Sequence, residues 1–193
     1  MTTKGLRYKN EYRAEGDIAR LYLLSVSGKA KAETIISLSD LSRVIAEGRW
    51  YALKVPKSAR NTDEFYLWAV NRHYRGDRQI ATSLHRFVLS AMPGTEVDHI
   101  NHDTLDNRRE NLRIVTKSQN QQNIAGAHRD SKSGARNVYW DARRKLWNVQ
   151  VCLNYERTCF GAFKDLEDAK RVALAGRKAL HSHCPENSEA KHD

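Results

Sequence analysis

The segment Glu96-Val97-Asp98-His99-Ile100-Asn101-His102-Asp103, the turn-rich run Thr104 to Arg109, and Glu110-Asn111-Leu112-Arg113-Ile114-Val115 are read together first. Val97 to Asn101 and Leu112 to Val115 predict two short antiparallel strands around a polar turn. Thr116 is suited to cap the N-terminus of a helix over Lys117 to Asn123. Two strands and a helix of this kind can bring Asp98, His99, Asn111 and Asn120 to one point. A carboxylate and an amide oxygen supply two ligands for a hard divalent cation, with water and phosphate completing an octahedron. A neutral imidazole beside them can take a proton from a water aimed at phosphorus. Strand neighbours point to opposite faces, so Asp98 and His99 share a site only where the strand ends or bends. Singly, each of these residues is more often an ordinary turn or surface group. The joint pattern carries the argument.

Outward from this segment, Leu84 to Met92 predicts a helix that ends at Pro93-Gly94. Farther upstream, Ala19 to Leu24, Thr34 to Leu38, Trp50 to Val55 and Phe65 to Val70 have strand character. Ser39 to Glu47 predicts a helix stopped by Gly48, and Pro56 to Asp63 a polar loop. The aromatic residues Trp50, Tyr51, Phe65, Tyr66, Trp68 and Tyr74 are expected in the core of this lead module rather than on a base-stacking surface. Downstream, Gly126 to Gly134 reads as a linker. Asn137 to Trp140, Leu146 to Leu153 and Arg157 to Phe160 read as strands, and Asp165 opens a helix with apolar residues at helical spacing. The expected organisation is a β-rich module over 1–75, a catalytic core over 76–125, a linker at 126–133, a second module over 134–183 and a disordered tail at 184–193.

The chain has 193 residues, with 33 Lys and Arg against 23 Asp and Glu, a net charge of +10. Its pI is about 9.6 and its mean hydropathy −0.73. The charge is distributed as +6 over residues 1–75, 0 over 76–125 and +4 over 126–193. No run approaches the ~20 apolar residues of a membrane span, and no secretory signal is visible at the N-terminus. Three cysteines, Cys152, Cys159 and Cys184, lack framework spacing and fit a reducing cytoplasm. A neutral centre between basic flanks points to a polyanionic partner.

Leu84-His85-Arg86, Val97-Asp98-His99-Ile100-Asn101, Leu105 to Arg109, Glu110-Asn111-Leu112-Arg113 and Ser118 to Asn123 resemble the HNH endonucleases, in particular phage and intron-associated homing-type nicking enzymes of the His-Asn-Asn variety. The resemblance implies a ββα-metal (His-Me finger) nuclease core and one divalent cation, Mg²⁺ or Mn²⁺, per site. It makes His99 the general base and Asp98 and Asn120 the metal ligands, with Asn123 one turn on as a competitor. Asn111 would brace the loop and orient His99. His85 would touch the scissile phosphate or hold its helix against the site. Arg86, Arg108, Arg109 and Arg113 are phosphate-contact candidates or solvated charges. No cysteine pair flanks the centre, so structural zinc is not expected. His102 reads as a loop residue, and His181-Ser182-His183-Cys184 as tail rather than a metal cluster.

Residues 134–181 resemble the APETALA2/ERF-type DNA-binding domains often appended to phage HNH enzymes. The matching residues are Arg136-Asn137-Val138-Tyr139-Trp140, Arg143 to Trp147, Phe160-Gly161-Ala162-Phe163 and Leu166 to Ala169. That resemblance implies a three-stranded sheet packed on one helix and laid into the major groove. Arg136, Tyr139, Arg143, Arg144, Trp147 and Arg157 are its contact candidates, with Trp147 equally a core residue. The whole is expected to be an α+β protein, a cytoplasmic, phage-encoded, site-specific DNA endonuclease. Its partner would be double-stranded DNA and not a membrane, with the chain a monomer or a dimer. A catalytically inactive DNA-binding regulator and an RNA-processing nuclease are the alternatives. The second is disfavoured because a sheet cannot enter the narrow major groove of A-form RNA.

Overall fold

The computed structural model describes residues 10–25, 30–58, 61–75, 77–124, 126–128 and 130–184. The fold is mixed α+β, in two compact units, Met1–Ile114 and Val115–Asp193. The division falls inside the segment 76–125 that was expected to be one core.

In the first unit the strands are β1 (Tyr12–Glu15), β2 (Ile18–Leu24), β3 (Ala30–Ser37), β4 (Trp50–Ser58), β5 (Asn61–Arg75), β6 (Arg78–Ser83), β7 (Glu96–His99), β8 (Asp106–Asn107) and β9 (Leu112–Val115). Its helices are α1 (Leu41–Glu47) and α2 (Leu84–Val88). One sheet runs β6-β5-β4-β2-β3-β8, with β1 added on β2. Strand β2 alternates cleanly: Ala19, Leu21 and Leu23 are fully buried while the intervening residues are only partly covered. They form one core with Ile36, Val44, Trp50, Ala69, Leu84 and Val88. A 3-10 turn over Leu38–Asp40 precedes α1, and Gly48 ends the helix at φ +124, where a Cβ would lie 3.3 Å from the Asn71 amide.

Three expectations need correction here. Pro56 to Ser58 and Asn61 to Asp63 are strand rather than loop: the β4–β5 ladder continues through Pro56↔Phe65 to Ser58↔Asn61, with a register shift between Pro56 and Ser58. Strand β4 meets β2 at Leu24↔Tyr51, near its start, so Pro56 sits where no ladder donor is needed on that side. The expected helix over Leu84 to Met92 stops at Val88. Ser90 adopts φ +52, and Arg86 donates to the carbonyls of Met92 and Thr95 at 2.8 and 2.6 Å, fixing the chain in a turn instead. The aromatic residues also divide. Trp50 is fully buried, but Phe65 and Tyr66 are exposed at the far end of the β4–β5 ladder, where Lys54 Nζ lies 3.9 Å over the Phe65 ring. Nothing is described of the Tyr74 side chain.

Strands β7 and β9 pair as a separate two-stranded sheet. Strand β8 joins the large sheet in parallel, Ile35↔Asp106 and Ile36↔Asn107. The stretch between β7 and β9 is thereby stitched into the lead module. The Asp40 carboxylate ties the same pieces together. It takes two 2.7 Å hydrogen bonds from Arg109 and one of 3.2 Å from Arg43. Both arginines also donate to Val88 O, at 3.0 Å from Arg109 and 2.6 Å from Arg43.

The second unit holds α3 (Lys117–Gln122), β10 (Val138–Asp141), β11 (Leu146–Leu153), β12 (Glu156–Phe163) and α4 (Leu166–Leu180). Thr116 closes a capping box with Gln119, satisfying both backbone donors at the start of α3. Asp165 caps α4 through a 2.9 Å bond from Asp168 N. The three strands form one sheet in the order β10-β11-β12. Val138, Val149, Ala169 and Ala173 make the core, with Trp147, Phe160 and Phe163 packed against it. Gly176 is required by a close approach, since a Cβ there would lie 3.0 Å from the Phe160 ring. Asn137 turns the chain at φ +65, anchored by its amide on Gln150 O at 2.9 Å.

The linker and tail expectations also change at their edges. Ser133 is buried and bonded to Ala135 O and Val138 O. His181 and Cys184 are buried too, with His181 Nε2 donating to Cys152 O at 3.0 Å, so His181 to Cys184 is packed rather than loose tail. Residues 185–193 lie outside the described residues. No described helix is long and apolar enough to cross a membrane.

Candidate active site

Strand β7 ends at His99, and that ending lets successive residues serve neighbouring surfaces. Asp98 Oδ2 accepts from Arg113 Nε and Nη2 on β9 at 2.9 and 2.8 Å. The His99 ring instead meets α2 and β5. Its centroid lies 5.2 Å from that of His85, in an edge-on arrangement, and 6.1 Å from Trp68. Trp68 also packs edge-on against His85 at 4.7 Å. Asp98, His99 and His85 are all buried, at 8%, 5% and 5% exposure, in a fold where such groups need a purpose or a partner.

Burial pushes the His85 imidazole down to about 3, with the nearby His99 and Arg86 acting in the same direction. His99 is also lowered, by burial, although the hydrogen bond to Asn107 and the charges of Asp98, Asp103 and Asp106 pull it back up. Both rings are therefore neutral near pH 7. The unfolded chain binds protons that these folded rings refuse once pH falls below the ordinary histidine value. Stability is thus complete above pH ~6.5 and declines as pH falls toward about 3, by roughly 1.4 kcal/mol per pH unit for His85 alone. A His85→Leu protein is expected to show a shallower acid decline in urea unfolding between pH 7 and pH 4.5. Equal slopes for the two proteins would contradict the burial argument.

The loop after β7 is built from its own side chains. Asn101 Oδ1 accepts from Asp103 N at 2.9 Å, and Asp103 Oδ1 from Leu105 N at 2.9 Å. Asn111 accepts from Asn101 N at 3.0 Å and donates to Asp106 O at 2.8 Å, tying the two ends of the loop together. Burial pushes Asp106 up, but hydrogen bonds from Arg108 and Asn101 outweigh it and hold its carboxyl below the usual range. Thr104 Oγ1 donates to Leu67 O at 2.7 Å, fastening the loop to β5 beside Trp68. His102, exposed with φ +64, is a loop residue.

Asn107 and Trp68 are site residues that sequence reasoning did not single out. Asn107 is 1% exposed, and its Oδ1 lies 3.3 Å from His99 Nε2. Trp68 has a buried indole N–H with no hydrogen-bond partner among the described residues. In sequence Asn107 sits in the turn-rich run Leu105-Asp106-Asn107-Arg108-Arg109, where an asparagine is an ordinary turn residue. Its contact with His99 depends on folding rather than on spacing.

The expected contact arginines separate into two groups. Arg86 is committed to the turn carbonyls after α2, Arg108 to Asp106 and Glu110, Arg109 to Asp40 and Arg113 to Asp98. Arg136 donates to carbonyls at the end of α3, those of Gln121, Gln122 and Ile124. By contrast, Arg143, Arg144 and Arg157 are exposed, as is Tyr139 at 55%. Trp147 packs against the core, its ring centroid 4.7 Å from that of Trp140 at a tilt of 56°, which favours its core reading. The opposite sheet face pairs Tyr139↔Asn148, Gln150↔Cys159 and Cys152↔Arg157.

Asn120 lies in the second unit, on α3, half-covered by its surroundings. Asn123, its competitor, is 3% exposed, which leaves Asn120 the more accessible amide. Among the described residues no three His, Cys, Asp or Glu gather as a metal cage. A single buried carboxylate and an amide are hard oxygen donors. Donors of that chemistry suit a magnesium-like cation rather than zinc.

Residues 85–122 match a family model described as HNH endonuclease, which supports a nuclease and implies a DNA substrate. No curated protein and no solved structure matches the chain.

Proposed function

We propose that this chain is a metal-dependent, site-specific DNA endonuclease of homing type, which hydrolyses a phosphodiester bond with His99 as general base. The observation that carries the reading is a buried His99 at the end of β7, packed on His85 and next in sequence to the Asp98 of the Asp98–Arg113 ion pair, inside the matched residues. A neutral imidazole takes a proton from an attacking water, whereas a charged one has none to accept. His85, held neutral, serves as a hydrogen-bond donor toward a phosphate oxygen rather than as a positive charge. Arg113 fixes the Asp98 carboxylate and balances its charge. Asp98 and Asn120 would hold the divalent cation, which when bound would stabilise charge on the phosphate and on the leaving 3′-oxygen. One centre per chain makes a monomer a nicking enzyme, leaving a 5′-phosphate and a 3′-hydroxyl.

The C-terminal sheet is the proposed DNA reader, with Arg143, Arg144, Arg157 and Tyr139 as its contacts. Arg136 and Trp147 are given structural roles instead. Host and encoding element are proposed as a bacterial cytoplasm and a phage.

The test is incubation of the protein with supercoiled phage or host DNA and Mg²⁺ or Mn²⁺. Conversion to open circles, abolished by EDTA and restored by added cation, is the expected result. Cleavage indifferent to EDTA would remove the metal, and no cleavage with any divalent cation would remove the nuclease.

A further inference from the structure

We propose that Asn107, held by Thr34, is a positioning residue that fixes the protonated nitrogen of His99 and so selects Nδ1 as the basic atom. The proposal deepens the nuclease reading and rests on it for its consequence. Its structural premise is separate.

Thr34 Oγ1 donates its one proton to Leu105 O at 2.7 Å. That oxygen can then only accept from Asn107, whose Nδ2 reaches it at 2.8 Å and also faces Thr104 O at 3.4 Å. The reverse amide orientation would set Oδ1 against a carbonyl oxygen and against a hydroxyl already committed elsewhere. Asn107 Oδ1 is therefore the atom that faces His99 Nε2, at 3.3 Å. An amide oxygen accepts and never donates, so the proton of the neutral ring sits on Nε2. The lone pair is on Nδ1.

Every member is anchored. Thr34 is fully buried on β3, Asn107 is 1% exposed on β8, and the two strands pair in parallel immediately beside them. A neutral imidazole in solution populates both tautomers; here the relay leaves one. Asn111 donates to Asp106 O at 2.8 Å and so braces the loop that carries Asp106 and Asn107.

The tautomer can be read without any cleavage, by nitrogen-15 spectra of the imidazoles in the full-length protein. His99 is assigned by the signals lost in His99→Gln. In the native protein at pH 7.5, His99 is expected with Nε2 protonated and Nδ1 unprotonated. In Asn107→Leu the ring is expected to become a mixture of tautomers, with cleavage at saturating DNA about 10- to 100-fold slower and KM unchanged. Thr34→Ser should keep the native spectrum and rate, whereas Thr34→Val should move both toward those of Asn107→Leu. The Thr34 pair carries the test if Asn107→Leu does not fold.

A native His99 protonated on Nδ1, or a spectrum unmoved by either Asn107→Leu or Thr34→Val, overturns the proposal. If the spectra behave as expected but the native protein cuts no DNA with any cation, the orienting relay stands and the nuclease reading falls.

Discussion

A His99→Ala protein is expected to nick supercoiled DNA roughly 10²- to 10⁴-fold more slowly than the native chain, the usual contribution of a positioned general base. The loss should appear in single-turnover rates at saturating DNA and cation, because the ring removed is the one that accepts the proton. DNA affinity should change little. His99 is 5% exposed and its ring neighbours are Trp68, His85 and Asn107, none of them a lysine or arginine. The substitution also empties a ring-sized space in a buried cluster, so thermal unfolding must accompany the kinetics. A folded His99→Ala protein that nicks at the native rate would dismiss His99 as the base, whatever the rest of the site does.

Trp50→Ala is expected to cost about 3–5 kcal/mol of folding stability, the range for truncating a fully buried large aromatic residue. Trp50 has no exposed surface, and its indole donates to Val44 O at 2.9 Å. Its backbone exchanges two 2.7 Å hydrogen bonds with the side chain of Asn10, and its ring lies 5.5 Å from Phe87. Truncation therefore opens a cavity and leaves a buried carbonyl without its indole donor. Phe87 belongs to α2, the helix of His85, so the damage reaches the candidate site. Urea unfolding at pH 7 measures the change, and a loss below 1 kcal/mol would show that the core collapses around the gap. Domains are commonly stable by only about 5–15 kcal/mol, so this single change could leave a large unfolded fraction.

How much of this could be read from the chain depends on the distance over which each feature is determined. Helix α4 was expected to open at Asp165 and carry apolar residues through Leu180, because its cap and its periodicity are local; the observed helix spans Leu166–Leu180. Thr116 and α3 were legible for the same reason. The pairing of β7 with β9 follows from strands only a short loop apart. What could not be read was determined by contacts remote in sequence. Arg109 meets Asp40 across 69 positions and Asn107 meets Thr34 across 73. No periodicity announces a two-residue parallel strand such as β8. The carboxylate partners of Arg108, Arg109 and Arg113 could therefore not be read from the chain either. Nor does spacing show that Asn107 Oδ1 lies 3.3 Å from His99 Nε2. Trp68 was expected as core, and only the fold reveals that it walls both rings.

The Asp40 clamp bears on how this protein could be engineered. Nucleases of modest size are attractive as transplantable cutting modules, excised as a short cassette and fused to a chosen DNA reader. Here the cassette has no clean upstream edge. The guanidinium groups of Arg43 and Arg109 converge on Asp40 and on the final carbonyl of α2, while β8 borrows its hydrogen-bonding partner from β3. A fragment starting at residue 76 would carry His85 and His99 away from the frame that sets their separation. Any portable version must begin before β3, and the lead module is the chassis of the cutting unit rather than its cargo.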